Sequence, residues 1–266
     1  MATVISSDLL LNEQDMEFPL THARIGYRRI SGTVTASSET EGNPASAANN
    51  PLTYTFWKPQ SVTATWEIDA GSPQSVDYLG IAAHTIADNN NLVAAQYWNG
   101  STWVTLLDTN PGDNRPIMLL FEGVTAQRFR VLITGGTPPR IGVIWFGLSL
   151  AMQRPIYGGH SPINLARQTV TKNNVSERGQ WLGRSIVRSG SAASFQWQNL
   201  TADWYRANFD PLVKHLRTEP AFIAWRPLSF PSETAYIWTN EDIAPSNTGT
   251  RDLMSVSLNA EGLGVE

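Results

Sequence analysis

Apolar residues recur at every second position along much of this chain, the period of a β-strand with one buried face. Between residues 61 and 84, Val62, Ala64, Trp66 and Ile68 alternate with polar partners, and Val76, Tyr78, Leu79 and Ile81 follow as a more continuous apolar run. Asp69-Ala70-Gly71-Ser72-Pro73 separates the two runs. Glycine there accepts positive φ and proline has no ladder donor, so the pattern predicts two neighbouring antiparallel strands joined by a turn. The second run, apolar on nearly every position, predicts burial on both faces. Turn chemistry recurs at short intervals: Gly42-Asn43-Pro44, Asn49-Asn50-Pro51, residues 88–91, Pro111-Gly112-Asp113-Asn114 and residues 135–139. Repeated turns without helical periodicity predict an all-β sandwich. Its clearest hairpin spans residues 95–104, where Asn99-Gly100 suits a type I′ turn. Residues 128–133 and 141–150 predict further strands, the latter closing the sandwich. Trp57, Trp66 and Trp103 are placed in its core.

The second half reads differently. Residues 152–188 carry Arg154, Arg167, Lys172, Arg178, Arg184 and Arg188 against the single acid Glu177, and Pro155, Gly158-Gly159 and Pro162 open the segment as a linker. Residues 1–150 hold 8 basic and 13 acidic side chains and residues 151–266 hold 11 and 10, so net charge changes from −5 to +1. A domain boundary is expected near Met152. The expected organisation is an N-terminal arm (1–33), a sandwich (34–151) and a second domain (152–266) with an extended basic arm at about 159–188. The N-terminal arm, acidic and then basic, either joins a sheet or docks on a neighbouring copy. Residues 181–197 read as a pair of strands around Ser189-Gly190-Ser191. One helix is expected, capped by Thr201, with Trp204, Tyr205, Phe209, Leu212, Val213 and Leu216 on one face. Pro211 predicts two short pieces or a kink, and Glu219-Pro220 ends the helix. Residues 222–226, 235–239 and 253–258 supply the last strands.

Two resemblances follow from ordered motifs. Residues 34–38 (Val-Thr-Ala-Ser-Ser), Pro44, Ala47-Ala48-Asn49-Asn50, Phe56-Trp57 and Trp66-Glu67-Ile68-Asp69-Ala70-Gly71, continuing through Trp103, Phe129-Arg130-Val131 and Ile144 to Gly147, resemble a discoidin-type, galactose-binding-like β-sandwich over residues 30–150. The helix before Glu219-Pro220-Ala221-Phe222, then Trp225-Arg226-Pro227, Phe230-Pro231, Tyr236-Ile237-Trp238, Met254-Ser255-Val256-Ser257-Leu258 and Glu261-Gly262, resembles the tail-tube-type β-barrel domain of distal tail and hub proteins of long-tailed bacteriophages. In those proteins the tube-type domain comes first; here it comes last. The resemblances imply a mainly all-β chain: a galactose-binding-like sandwich followed by a tail-tube-type barrel with one short or kinked helix. They imply a structural subunit of a phage tail tip or baseplate, made in the bacterial cytoplasm and residing in the virion. Its partners would be a homo-oligomeric ring, a hexamer, and other tail proteins (tube, hub and tape-measure). The alternative they leave open is a lectin-like protein that recognises a host-surface glycan.

Composition narrows the chemistry. Net charge is −4, too mild to make nucleic acid or an anionic membrane a general partner, and the chain has no cysteine, which excludes disulfides, thiolate metal sites and cysteine nucleophiles. Residues 1–20 lack the basic start of a signal peptide, and no apolar run approaches the roughly 18 residues of a membrane span. His22, His84, His160 and His215 form no metal or nucleophile motif. Glu67 and Asp69 share a strand face, but the resembled family uses that acidic strand structurally, so a non-catalytic protein is expected. Saccharide binding at the loops is the preferred chemistry, with His84, Asn90, Trp98 and Arg115 as candidates. His84 is alternatively a satisfied histidine at the sandwich rim. Trp98 and Trp103 straddle the Asn-Gly turn, leaving at least one exposed unless both are packed in the core or in a subunit contact. Lys172, Arg178, Arg184 and Arg188 are the candidate oligomer contacts. Relatives of the resembled family carry a structural calcium near the loop at 47–50, but no acidic cluster accompanies that loop here. No metal or cofactor is assigned.

Overall fold

A computed structural model describes residues 3–159, 162–249 and 251–263. Its strands are β1 (Thr3–Ile5), β2 (Arg24–Arg29), β3 (Thr33–Ala36), β4 (Ala64–His84), β5 (Leu92–Trp98), β6 (Trp103–Thr109), β7 (Ile117–Thr134), β8 (Ile141–Ala151), β9 (Arg167–Val175), β10 (Trp181–Thr201), β11 (Ala221–Ala224), β12 (Thr234–Trp238), β13 (Ser246–Asn247) and β14 (Leu253–Gly262). They join in the order β6-β5-β7-β4-β8-β2-β11-β12-β14-β10-β9, with β1 on β7, β3 on β4 and β13 on β14. The α-helical segments are α1 (Ser7–Leu11), α2 (Ala202–Trp204) and α3 (Asp210–Leu216). The chain is mainly β, as the alternation predicts.

The sandwich arises because β4 and β7 each run through two layers. Residues 64–69 of β4 lie opposite residues 128–133 of β7, flanked by β3 and β5. Residues 78–84 lie in the second layer, with β7 on one side and β8 on the other. Trp66, Ile68, Leu79, Ile81, Phe129 and Phe146 fill the core between the layers. The turn expected at residues 69–73 does not reverse the chain. β4 runs through 21 residues, and its register against β7 jumps from Asp69 opposite Arg128 to Gln74 opposite Ala126. Gly71 takes φ +72°, and Asp69 Oδ1 accepts its amide at 2.8 Å. Residues 70–73 of β4 stand opposite residue 127 alone on β7, so they form a bulge that carries the strand from one layer into the other.

The second layer is buried on both faces, as its apolar run predicts. Tyr78, Met118, Leu120, Val143 and Trp145 pack on Phe222 and Tyr236 from β11 and β12. A Cβ at Gly80 would lie 2.5 Å from the Phe222 ring, so the close approach requires glycine there. β2, from the segment read as an arm, lies between β8 and β11 and links the sandwich strands to the C-terminal ones. Its Ile25 and Tyr27 join Phe195, Trp197, Phe209 and Ile223 in a further core against the helix.

That helix is continuous rather than broken. A wide π-turn, Tyr205–Phe209, sits directly between α2 and α3. Pro211 in the first turn of α3 lacks an N–H and crowds the carbonyl four residues back, which the wide turn accommodates. Thr201 occupies the N-cap without a capping hydrogen bond; its Oγ1 accepts from Gln153 Nε2 at 3.0 Å instead. β10 also corrects an expectation. It is one strand of 21 residues, and Gly190 sits in the ladder opposite Gln168. The chain reverses at residues 176–179, where Gly179 takes φ +78° and its amide meets the Ser176 carbonyl at 2.9 Å. Beyond Ser191, which pairs with both Arg167 and Gly262, the β9–β10 hairpin is held by its own two strands.

Candidate functional site

His84, Asn90 and Arg115 lie on one rim of the sandwich. His84 is 4 % exposed. Its Nδ1 accepts the Ile86 amide at 3.3 Å, which leaves the proton on Nε2 to be donated to the Arg115 carbonyl at 2.9 Å. Burial pushes this imidazole down to about 4, so it is neutral across the physiological range. The Arg115 guanidinium is turned back on Asp113, with Nε 2.8 Å from Oδ2. Asn90 is exposed, with φ +53°. Its neighbours stitch the rim together: Asn89 Nδ2 donates to the Pro138 carbonyl at 2.9 Å, Asn91 Nδ2 to the Thr137 carbonyl at 3.1 Å, and Asn114 Oδ1 accepts the Ala87 amide at 3.0 Å. Most polar groups of the rim are therefore spent on the rim itself.

Trp98 is elsewhere. β5 leaves the rim at Leu92 and ends at Trp98, which at about 3.3 Å per residue puts the indole roughly 20 Å away. The four candidates do not form one site. The hairpin turn also differs from expectation. Its central residues are Gly100-Ser101, with Gly100 at φ +100° and the Asn99 amide donating to the Thr102 carbonyl at 3.2 Å, so only the first of the two has positive φ. Asn99 Oδ1 prefers to accept the Ser101 and Thr102 amides, at 3.0 and 2.8 Å, which moves the turn one residue along. Trp98 then pairs with Trp103 across the strands, and both point away from the core. Trp103 is thus not the core residue that the sequence suggested.

These indoles head a polar and aromatic face on the outer side of the first layer. Their ring centroids are 5.5 Å apart at 60°. The Arg128 guanidinium lies 5.4 Å from the Trp98 centroid and 5.3 Å from that of Trp103, and Arg130 lies 4.2 Å from Trp103. Arg128 Nε donates to Glu67 Oε1 at 2.7 Å, Arg130 Nε to Gln96 Oε1 at 2.7 Å, and Gln96 Nε2 to Thr105 Oγ1 at 2.8 Å. Each of these side chains is thereby fixed by its neighbours. Asp69, on the same face, bonds Gln127 Nε2 at 2.8 Å and the Gly71 amide, which hold it below the usual carboxylate range. Gln96, Arg128 and Arg130 were missed from sequence. Strand alternation puts each on the outer face, but only the register β6-β5-β7-β4 places them beside the indoles.

The other candidates are placed as follows. Lys172, Arg178, Arg184 and Arg188 are exposed on the β9–β10 hairpin, and Arg184 Nε donates to Asn173 Oδ1 at 2.7 Å. His22 and His215 bond the Met152 and Pro220 carbonyls, while His160 lies outside the described residues. The loop at 47–50 does not suit a cation. Its Ala47 carbonyl accepts Asn50 Nδ2 at 2.9 Å and its Asn49 carbonyl accepts Arg29 Nη1 at 2.7 Å, and no cluster of acidic or histidine ligands occurs among the described residues. No helix among the described residues is long and apolar enough to cross a membrane.

Residues 33–146 match the F5/8 type C domain family, in agreement with the discoidin-type reading of this stretch. No curated protein matches the chain. Among solved structures, chitosan-binding module 1 of a chitosanase/glucanase from Paenibacillus sp. IK-5 aligns at 20% identity over 46% of this chain and 99% of that one, with a TM-score of 0.40. A pectin-binding carbohydrate-binding module aligns at 22% identity over 45% and 91%, TM-score 0.39. The family 32 module of C. perfringens NanJ, in complex with galactose, aligns at 17% identity over 43% and 91%, TM-score 0.38.

Proposed function

We propose that this protein is a non-catalytic glycan-binding protein, and that its F5/8 type C sandwich meets the saccharide on the Trp98–Trp103 face. The observation that carries the reading is the half-buried indole pair fixed among Arg128, Arg130 and Gln96. A pyranose presents an apolar C–H face and a ring of hydroxyls. An indole edge or face takes the first, and prepositioned guanidinium groups bond the second at little ordering cost. The rim bearing His84, Asn90 and Arg115 is the weaker alternative, because its His84 ring is only 4 % exposed and no tryptophan lies among its candidates. The test is a glycan array that includes chitosan, pectin and galactose-terminated chains, probed with the full chain. Retention of at least one glycan class is expected; uniform failure to bind would remove the reading.

A second reading is favoured by the β9–β10 hairpin. We propose that it assembles copies of the chain into a ring, a hexamer in the phage tail-tip interpretation, in which the protein would sit in the virion beside tube, hub and tape-measure proteins. Val170, Val175, Trp181, Leu182, Ile186 and Val187 are 46–69 % exposed on this hairpin. A two-stranded hairpin is marginal alone, and side chains this apolar and exposed favour burial against another surface. A neighbour packing head-to-tail on it would close a ring if the rotation permits. Native mass spectrometry of the full chain and of a variant lacking residues 171–186 decides the matter. An oligomer lost on shortening supports the ring; a monomer in both cases ends it.

A further inference from the structure

Asn99-Gly100 is the one Asn-Gly step in the chain; every other asparagine precedes a residue that carries a side chain. It lies at the tip of the β5–β6 hairpin, where Asn99, Gly100, Ser101 and Thr102 are all exposed to water. Asn99 Oδ1 accepts three hydrogen bonds there: from the Ser101 amide at 3.0 Å, the Ser101 hydroxyl at 3.0 Å and the Thr102 amide at 2.8 Å. Backbone amides only donate, so the atom they meet is the side-chain carbonyl oxygen. Neither the Gly100 N–H nor Asn99 Nδ2 has a hydrogen-bond partner among the described residues. The ring closed by the Ser101 amide bond runs from Oδ1 through Cγ, Cβ, Cα and the carbonyl carbon of Asn99, then through the Gly100 nitrogen. An electrophilic carbon and a nitrogen nucleophile are thereby members of one hydrogen-bonded ring.

We infer that Asn99 is a self-modification site, at which the Gly100 amide nitrogen attacks the Asn99 side chain and converts it, through a succinimide, to aspartate and isoaspartate. Hydroxide takes the Gly100 N–H proton, and the nitrogen bonds to Cγ while the carbonyl electron pair moves onto Oδ1. The three donors to Oδ1 already lie at the distances, about 2.7–3.1 Å, that stabilise an oxyanion. When the pair returns, the Cγ–Nδ2 bond breaks and Nδ2, protonated by water, leaves as ammonia. Water then opens the succinimide at Cγ to give aspartate, or at the backbone carbonyl to give isoaspartate. The balance is one water in and one ammonia out, with no oxidant or reductant. Gly100 presents no Cβ to hinder the attack. Either product places a new carboxylate next to Trp98, whose pair with Trp103 lies beside Arg128 and Arg130. Aspartate can keep accepting the Ser101 and Thr102 amides, whereas isoaspartate adds a methylene to the backbone between the paired indoles. The site stands whether or not a glycan binds that face.

The experiment incubates the full chain at pH 8.5 and 37 °C, folded and unfolded in guanidinium chloride, and follows each asparagine by peptide mapping with mass spectrometry. Isoaspartate is read separately by methyl transfer from an isoaspartyl methyltransferase. In the folded chain Asn99 should exchange amide for acid before any other asparagine, at no less than a third of its rate in the unfolded chain. Its peptide should also become a methyl acceptor. Ser101→Ala removes an exposed hydroxyl and should slow the folded reaction at least threefold, with the unfolded rate changed less than twofold. Four results would overturn the inference: another asparagine reacting first, a folded rate below a third of the unfolded one, acid formed at Asn99 without methyl acceptance, or Ser101→Ala leaving the folded rate unchanged.

Discussion

Trp145 on β8 is where the sandwich strands and the C-terminal strands meet, so its removal measures how strongly they depend on each other. The indole is 1 % exposed. It packs edge-on against Phe222 and Tyr236, each at 5.6 Å, and the Arg29 guanidinium lies 5.0 Å from its ring centroid. Trp145→Ala deletes a side chain walled by both halves, and neither half can collapse into the space without moving the other. Truncation of a buried tryptophan costs about 3–5 kcal/mol. Total stability of native proteins is about 5–15 kcal/mol, so the loss is a large share of it. For a chain of this size each kcal/mol shifts Tm by roughly 2–4 °C, which gives a fall of roughly 6–20 °C. Differential scanning calorimetry on the wild type and the variant reads this directly. A second variant, Tyr236→Phe, removes only the hydroxyl that donates to the Pro51 carbonyl at 2.8 Å and should cost about 1 kcal/mol. A Tm for Trp145→Ala within a degree or two of wild type would refute the shared core.

Gly136 takes φ +59°, and a Cβ there would lie 1.6 Å from the Asn89 carbonyl oxygen, so Gly136→Ala should lower stability by roughly 2–4 kcal/mol in urea melts. His84 is lowered to about 4 from 6.5 by burial, so the stability it contributes is complete above pH 6.5 and is lost as pH falls through 4. Asp77, raised to about 6 from 3.8, has the opposite sign: its contribution is complete below 3.8 and is lost as pH rises through 6. The urea midpoint at pH 7 minus that at pH 4.5 should therefore fall in His84→Gln and rise in Asp77→Asn relative to wild type; the same signed difference in all three would contradict the assignments. Trypsin should cut the exposed turn at Arg178, yet the two fragments should co-elute in gel filtration because β2 and the Trp145 core hold them together. Separation of the fragments without denaturant would disprove this.

Alternation and turn residues made the strands of the sandwich legible, because inward and outward side chains differ in polarity: Trp66 and Ile68 read as buried and are buried. The doubly buried run at 76–82 was legible for the same reason. What the chain does not announce is whether Gly and Pro reverse it or bulge it. At residues 69–73 and at Gly190 the same residue types sit inside continuous strands, and the choice is made by partners far away in sequence, β7 in one case and β9 with β14 in the other. The candidate site failed in the same way. His84 and Trp98 flank a single strand at opposite ends, a separation that spacing along the chain conceals. Arg128, Arg130 and Gln96 gained meaning only through register.

Glycan capture by the Trp98–Trp103 face is tested most directly by isothermal titration of the full chain and of Trp98→Ala with the glycan class retained on the array. The indole is outside the core, so the variant should keep its Tm within about 2 °C. Loss of the stacking surface should cost about 1–2 kcal/mol of binding, roughly a five- to thirtyfold rise in Kd. An unchanged Kd for Trp98→Ala, with the fold intact, would contradict the placement of the glycan on this face.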